Sequence, residues 1–187
     1  MMNIQEKRQR IGFLLGSFDP VHMGHLHMAA ASLNTGLVDE VVFVPSVQNP
    51  WKENSTDFRT RCFMIQLAID DMEHCSMSSI DYRNTTPYYS VNTLKMLQEE
   101  YPEDELYLIV GADIVNNIKD WHEGEWILKN FDFITIARDG FEATSDITKT
   151  LNISSTEIRT LANNNKMIYP LVPKVVSQYI KRFNLYK

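Results

Sequence analysis

Two short apolar runs, residues 11–16 (IGFLLG) and 106–111 (LYLIVG), each end in glycine. Neither alternates apolar with polar residues, so each reads as a strand buried on both faces, the pattern of a parallel sheet covered by helices on either side. Val41-Val42-Phe43-Val44 and the stretch 131–137 read as further buried strands. Between them the apolar spacing turns helical: from Met23, with Leu26, Ala29, Ala30 and Leu33 on one side, and from Asp57 to about Met72, with Phe58, Cys62, Ile65 and Ile69 on one face. Strands alternating with helices predict an α/β fold, a doubly wound parallel sheet with helices on both faces.

The remaining stretches fit the same plan. Residues 77–82 are compatible with a strand. Ser90 reads as the N-cap of a helix running through Glu100 and stopped by Tyr101-Pro102. Short helices are expected around 114–119 and 125–129. Ser154 opens a helix to about Ala162, which Asn163-Asn164-Asn165 would end because asparagine tolerates the left-handed cap. Val172-Pro173 begins a last helix. Residues 141–152 are weakly patterned. With 187 residues, no repeat and no linker, the chain reads as one domain, 1–187, of which 1–9 is a polar N-terminal extension.

A composition of 44% hydrophobic and 22% charged residues can bury a real core, which excludes disorder and a stapled mini-protein. The net charge of -6 argues against a broad nucleic-acid surface but leaves room for a small basic pocket. Cys62 and Cys75 lack metal-ligand spacing and read as buried thiols. The polar start, Met1 to Arg10, has no apolar h-region and no apolar run is long enough to span a bilayer, so a cytoplasmic protein without membrane or nucleic-acid partners is expected.

In such a sheet, ligands bind beyond the carboxyl ends of the strands, where the strand order reverses. Unusual residue groups fall at those ends. The first is residues 16–25 (GSFDPVHMGH), which is neither a dinucleotide fingerprint nor a P-loop. It sets a glycine turn at a helix start, where backbone N–H groups and the helix dipole favour phosphate. His22 and His25 share one face of the first turn. There the dipole disfavours imidazolium, while a neutral imidazole N–H can donate to phosphate oxygens. Gly24 between them would admit a ligand closely. Each histidine alone reads as an ordinary surface residue; together in this context they read as a phosphate site. No third ligand completes a zinc site, and none is assigned.

The second group is residues 153–159 (ISSTEIR). Ser154 with Glu157 forms a capping box. Arg159 opposes the macrodipole unless an anion lies nearby, and a triphosphate would supply one.

GSFDPVHMGH resembles the GxFxPxHxGH signature of the nucleotidyltransferase superfamily, and ISSTEIR matches its second signature, ISSTxIR. Gly111-Ala112-Asp113, the tryptophans Trp121 and Trp126, residues 88–94 (YYSVNTL) and the closing helix after Val172-Pro173 are similar to bacterial nicotinate-nucleotide adenylyltransferases. The resemblance runs from about residue 10 to the C-terminus and implies a Rossmann-like fold.

It also implies a reaction in which nicotinate mononucleotide attacks the α-phosphate of ATP, giving deamido-NAD and pyrophosphate without a covalent enzyme intermediate. On that resemblance His22 and His25 bind the ATP phosphates and stabilise the transition state. Ser154, Ser155 and Arg159 hold the triphosphate from the opposite side. Gly16, Ser17 and Phe18 contribute backbone contacts, and Gly111 with Asp113 supports the nucleotide. Mg²⁺ would arrive with ATP, held largely by phosphate and water. Trp121 would stack on the nicotinate ring, with a core aromatic as the alternative. Ser90 would stand near the carboxylate, a role it shares with simple helix capping. Lys52, on a loop beyond a strand end, would meet a phosphate, with a solvated lysine as the alternative, and Arg138, at the end of a strand, would contact a ligand. A homo-oligomer is left open.

The chain departs from the family in places. Asn49-Pro50-Trp51-Lys52 stands where Pro-Pro-His-Lys is common, Asn92 where aspartate is common, Arg138-Asp139-Gly140 where Arg-Pro-Gly is common, and His122 where an aromatic often follows the tryptophan. Sister transferases using nicotinamide mononucleotide, phosphopantetheine or CTP share HxGH, and a silent nucleotide sensor would keep the fold.

Overall fold

The computed structural model describes residues 8–48, 56–137 and 151–187. Five parallel strands form one sheet: β1 (Arg10–Gly16), β2 (Glu40–Pro45), β3 (Cys75–Met77), β4 (Glu105–Gly111) and β5 (Asp132–Ile136), in the order β3-β2-β1-β4-β5. The chain winds outward from β1 to β3, then returns to place β4 on the other side of β1. The strand order reverses between β1 and β4, so the carboxyl ends at Gly16 and Gly111 flank the switch point.

The helices are α1 (Met23–Asn34), α2 (Phe58–Ile69), α3 (Ser90–Glu100), α4 (Ala112–Val115), α5 (Gly124–Asn130), α6 (Ser155–Asn163) and α7 (Lys174–Arg182), with 3₁₀ turns at Ile80–Arg83 and Ile118–Asp120. Each sheet face has its own core. Leu14, Val41, Phe43, Ile109 and Ile134 pack with Leu26, Ile65, Ile158 and Val176, so α1, α2, α6 and α7 cover one face. Ile11, Phe13, Val42, Val44 and Leu108 pack with Leu94, Leu97 and Ile127, so α3 and α5 cover the other. Alternate β1 residues therefore enter different cores, which is why its sequence is apolar throughout. Gly12 is needed here, because a Cβ on it would sit 2.7 Å from Ile109 Cδ1.

Several boundaries differ from the sequence reading. Residues 77–82 do not form a strand: β3 ends at Met77 and the chain turns into the 3₁₀ segment Ile80–Arg83. The turn buries Asp81, whose carboxylate accepts from Val47 N–H (2.6 Å) and Asn84 Nδ2 (3.0 Å) and also from Thr93 Oγ1. A continuing strand would hold that carboxylate away from these donors. The N-cap of α3 is Tyr89, one residue before Ser90, and Pro173 is the N-cap of α7 rather than within its first turn. Asn165 takes φ +54° beyond α6, as the asparagine run suggested. Cys62 and Cys75 are free and half-buried rather than fully enclosed. Of the expected N-terminal extension, Arg8 and Gln9 are described. Arg8 Nε donates to the Glu103 carbonyl (2.6 Å) and Gln9 N–H to Asp104 Oδ1 (2.9 Å). Among the described residues no helix is long and apolar enough to cross a membrane.

Candidate active site

Beyond β1 the chain enters residues 17–22. Phe18 takes φ +47°, a left-handed conformation costly for a bulky residue, and its ring is buried. A Cβ on Gly16 would sit 3.2 Å from that ring, so the glycine lets Phe18 fold back beneath the strand end. Phe18 meets His25 edge-on, with centroids 4.8 Å apart.

His22 is the N-cap of α1, with φ -145° and ψ 169°, and His25 lies three residues on. Their rings stack, with centroids 3.6 Å apart and planes 20° from parallel. The His22 backbone N–H donates to His25 Nδ1 (3.2 Å). That bond makes Nδ1 an acceptor and leaves Nε2 of the neutral ring as the N–H donor. Gly24 makes room for this stack: an added Cβ would lie 3.0 Å from His22 Nδ1 and 3.4 Å from the Leu151 carbonyl oxygen.

The second signature closes on the first. Ser154 caps α6, its hydroxyl accepting from Glu157 N–H (3.1 Å), which forms the serine half of the expected capping box. Ser155 Oγ donates to the Pro20 carbonyl (3.0 Å). Arg159 donates through Nη1 to the Asp19 carbonyl (2.7 Å) and through Nη2 to Thr156 Oγ1 (3.2 Å). The cation in the early part of α6 thus borrows a carbonyl dipole from the loop that carries the histidines.

Sequence reasoning missed the residues beneath this loop. Arg61, on α2, is almost wholly buried. Its guanidinium donates to four carbonyls: Thr56 (2.8 Å), Ser17 (2.7 Å), Ser46 (2.7 Å) and Val47 (2.9 Å). One side chain thereby ties the loops after β1 and β2 to the start of α2. Burial lowers its pKa, and the Asp19 carboxylate opposes that shift. Asp19 is itself buried, accepting from Thr56 N–H (3.1 Å) and from the Tyr186 hydroxyl (2.8 Å). The available signal was Arg61's position, three residues after Phe58 and four before Ile65, on the apolar face of its helix.

A cavity of about 380 Å³ opens beside Gly16 and Ser17. Asp81, Tyr89, Ser90 and Trp121 contribute to its walls, so the structure brings Gly16, Ser17, Ser90 and Trp121 together. Trp121 is partly buried against the α3–α5 core and also lines the cavity. Trp126 packs against the same core but not on the cavity wall, near Phe131 and under the Lys95 ammonium (5.1 Å). His122 stacks on Tyr89, with centroids 4.1 Å apart, at the cavity wall. Gly111 ends β4 and caps α4, which contains Asp113, at the other side of the switch point. Lys52 and Arg138 lie outside the described residues. Among the described residues no group of three or more His, Cys, Asp or Glu side chains converges to hold a metal.

A reversed parallel sheet with paired histidines and an arginine over its switch point is the build of a nucleotide-handling α/β protein. Residues 13–161 match the cytidylyltransferase-like family. The chain is 35% identical over 198 residues to a probable nicotinate-nucleotide adenylyltransferase of Leifsonia xyli, covering 100% of this chain and 98% of that one. It is 34% identical over 188 residues to the counterpart from Bacillus pumilus, covering 96% and 99%. The Plasmodium falciparum nicotinic acid mononucleotide adenylyltransferase complexed with NaAD shares the fold, with a TM-score of 0.81 at 23% identity over 96% of this chain and 98% of that one. The chain belongs to the cytidylyltransferase-like family and, within it, to the nicotinate-nucleotide adenylyltransferases.

Proposed function

We propose that this protein transfers the adenylyl group of ATP to nicotinate mononucleotide, releasing pyrophosphate and forming deamido-NAD for NAD biosynthesis. One observation carries the reading: the turn at Gly16 and Ser17 is shared between the cavity walled by Trp121 and the loop leading to the stacked His22 and His25. The acceptor occupies the cavity, its pyridinium ring against the Trp121 indole and its carboxylate toward Ser90. Its 5′-phosphate then points toward residues 16–18.

An oxygen of that phosphate attacks the ATP α-phosphorus, and the bond from that phosphorus to the bridging β-oxygen breaks. Pyrophosphate leaves with the electron pair. No residue needs to form a covalent bond, so positioning and charge stabilisation carry the rate. His25 Nε2–H donates to phosphate oxygens, His22 lies against it at the helix N-terminus, and Ser154, Ser155 and Arg159 face the triphosphate from α6. Gly111 and Asp113 support the nucleotide, Lys52 meets a phosphate and Arg138 contacts the substrate. Mg²⁺ enters as part of the MgATP substrate, held by phosphate oxygens and water.

The test is pyrophosphate release from MgATP with nicotinate mononucleotide or its amide as acceptor. Release with a strong preference for the acid supports the reading. Release that favours phosphopantetheine or a CTP-dependent acceptor, with none from either pyridine nucleotide, overturns it.

A further inference from the structure

The C-terminal end of the chain reaches the loop that carries the histidines. Tyr186, the penultimate residue, takes φ +68° and buries most of its side chain, with its hydroxyl donating to Asp19 Oδ1 at 2.8 Å. The same carboxylate accepts from Thr56 N–H (3.1 Å), while the Asp19 carbonyl accepts from Arg159 Nη1 (2.7 Å). The next residue, Pro20, gives its carbonyl to Ser155 Oγ (3.0 Å). Asp19 is therefore held through its carboxylate by the tail and through its backbone by α6, three residues before His22.

Tyr186 packs against the core that α1, α2, α6 and α7 form, and its hydroxyl takes the Asp19 carboxylate as its partner. Burial and the Asp19 charge raise the Tyr186 pKa well above its ordinary range, so the phenol stays protonated and stays a donor. Two cations lie close enough to balance Asp19, Arg61 beneath it and Arg159 above. Besides balancing Arg61, the carboxylate ties the backbone that bears it to Thr56 and Tyr186.

We infer that Tyr186 is a positioning residue for adenylyl transfer: by anchoring Asp19, the tail holds residues 17–22 in the conformation that presents His22 and His25 to the ATP phosphates. This rests on the proposed function for its kinetic consequence but not for its geometry. The bond joins residues 167 positions apart, so the tail must dock before the phosphate loop is complete. The acceptor cavity does not include Tyr186 or Asp19, so their loss acts on the ATP side.

The test compares wild type, Tyr186→Phe, Asp19→Asn and the double variant, with Lys187→Ala as a control at the exposed end. Tyr186→Phe keeps the ring in place and deletes only the hydroxyl. A lost hydrogen bond to a charged group corresponds to about a tenfold effect, so kcat is expected to fall about tenfold while KM for the acceptor stays within about twofold. ATP affinity, measured by calorimetry without acceptor, weakens in step. The double variant loses no more than the worse single variant, because both act through one contact. Unchanged kcat and ATP affinity in a folded Tyr186→Phe protein, even with a lowered Tm, overturn the inference. Additive losses in the cycle overturn it as well. Should Tyr186→Phe not fold, Asp19→Asn alone carries the same split between ATP affinity and acceptor KM. If wild type gives no product with nicotinate mononucleotide, that result sinks the functional reading, and the ATP calorimetry still decides the role of Tyr186.

Discussion

His25 Nδ1 accepts the backbone N–H of His22 at 3.2 Å, while the two imidazole rings stack at 3.6 Å. The helix start therefore fixes the tautomer of its own histidine. Replacing His25 with alanine removes the proposed phosphate donor and leaves the His22 N–H without its acceptor. Turnover is expected to fall by about 100-fold or more, in the range found when one preorganised donor is deleted. Circular dichroism should show an intact fold. Pyrophosphate release that matches wild type would take His25 out of the mechanism.

Gly24 separates stability from activity. Alanine is favoured over glycine within a helix by about 1 kcal/mol, so Gly24→Ala should stabilise a helix that had space for it. Here the new Cβ would lie 3.0 Å from His22 Nδ1 and 3.1 Å from His22 Cε1. The ring must shift by a few tenths of an ångström, and the stack with it. Urea unfolding should show little net change, the helix gain offsetting the contact, while kcat falls about tenfold. Wild-type turnover in this variant would show that the stack tolerates displacement.

Arg61 ties the loop after β1 to both ends of the connection between β2 and α2. Arg61→Met would orphan four carbonyls and leave Asp19 buried with one fewer cation. The cost should be about 3–5 kcal/mol in urea unfolding, as for other buried charges stripped of a partner. Arg61→Lys keeps the charge but cannot span four acceptors in the guanidinium fork, so about 2 kcal/mol should still be lost. A lysine variant of full stability would mean that charge, not geometry, is what the site needs.

The parts legible in the sequence were those where one physical demand admits one answer. The runs 11–16 and 106–111 read as doubly covered strands because neither alternates apolar with polar residues, and they became β1 and β4 on either side of the switch point. His22, His25, Ser155 and Arg159 were legible through their spacing at helix starts. Arg61 was not, since a charged residue in a mixed helix normally marks the solvent face. Asp81 was lost inside an expected strand, because a three-residue β3 carries too little pattern to show where it stops. Tyr186 could not be placed at all: its partner lies 167 residues away and no local period points to it. The one-residue shift at Ser90 takes it out of the capping position, and Ser90 lines the cavity.

Cys75 offers a pH test of the fold. Burial, helped by the Glu40 charge, raises its pKa to about 11. An exposed cysteine titrates near 8.5, so the folded thiol should alkylate far more slowly than the unfolded one at pH 8. Its folded pKa is raised, so the associated stability is fully present below the unfolded value and is lost as pH rises toward about 11. Iodoacetamide labelling with and without urea checks the first point, and melting temperatures across pH 8 to 11 check the second. Rapid native labelling of Cys75 at pH 8 would show that the β3 edge opens.

Ser90 distinguishes capping from recognition. Were it the N-cap of α3, Ser90→Ala would cost about 1 kcal/mol of stability. The N-cap is Tyr89, and Ser90 lies in the first turn on the wall of the 380 Å³ cavity. Its removal should therefore change stability by no more than about 0.5 kcal/mol, as for a substitution that breaks no cap and opens no core. The loss should appear instead in substrate choice. A hydroxyl donor facing a carboxylate contributes more than one facing an amide, because hydrogen bonds to charged groups are the stronger. Ser90→Ala should lower kcat/KM for nicotinate mononucleotide by about tenfold and leave the amide nearly unaffected. An equal loss with both acceptors would place the hydroxyl away from that substituent. A loss of stability with no change in the acid-to-amide ratio would return Ser90 to a purely structural role.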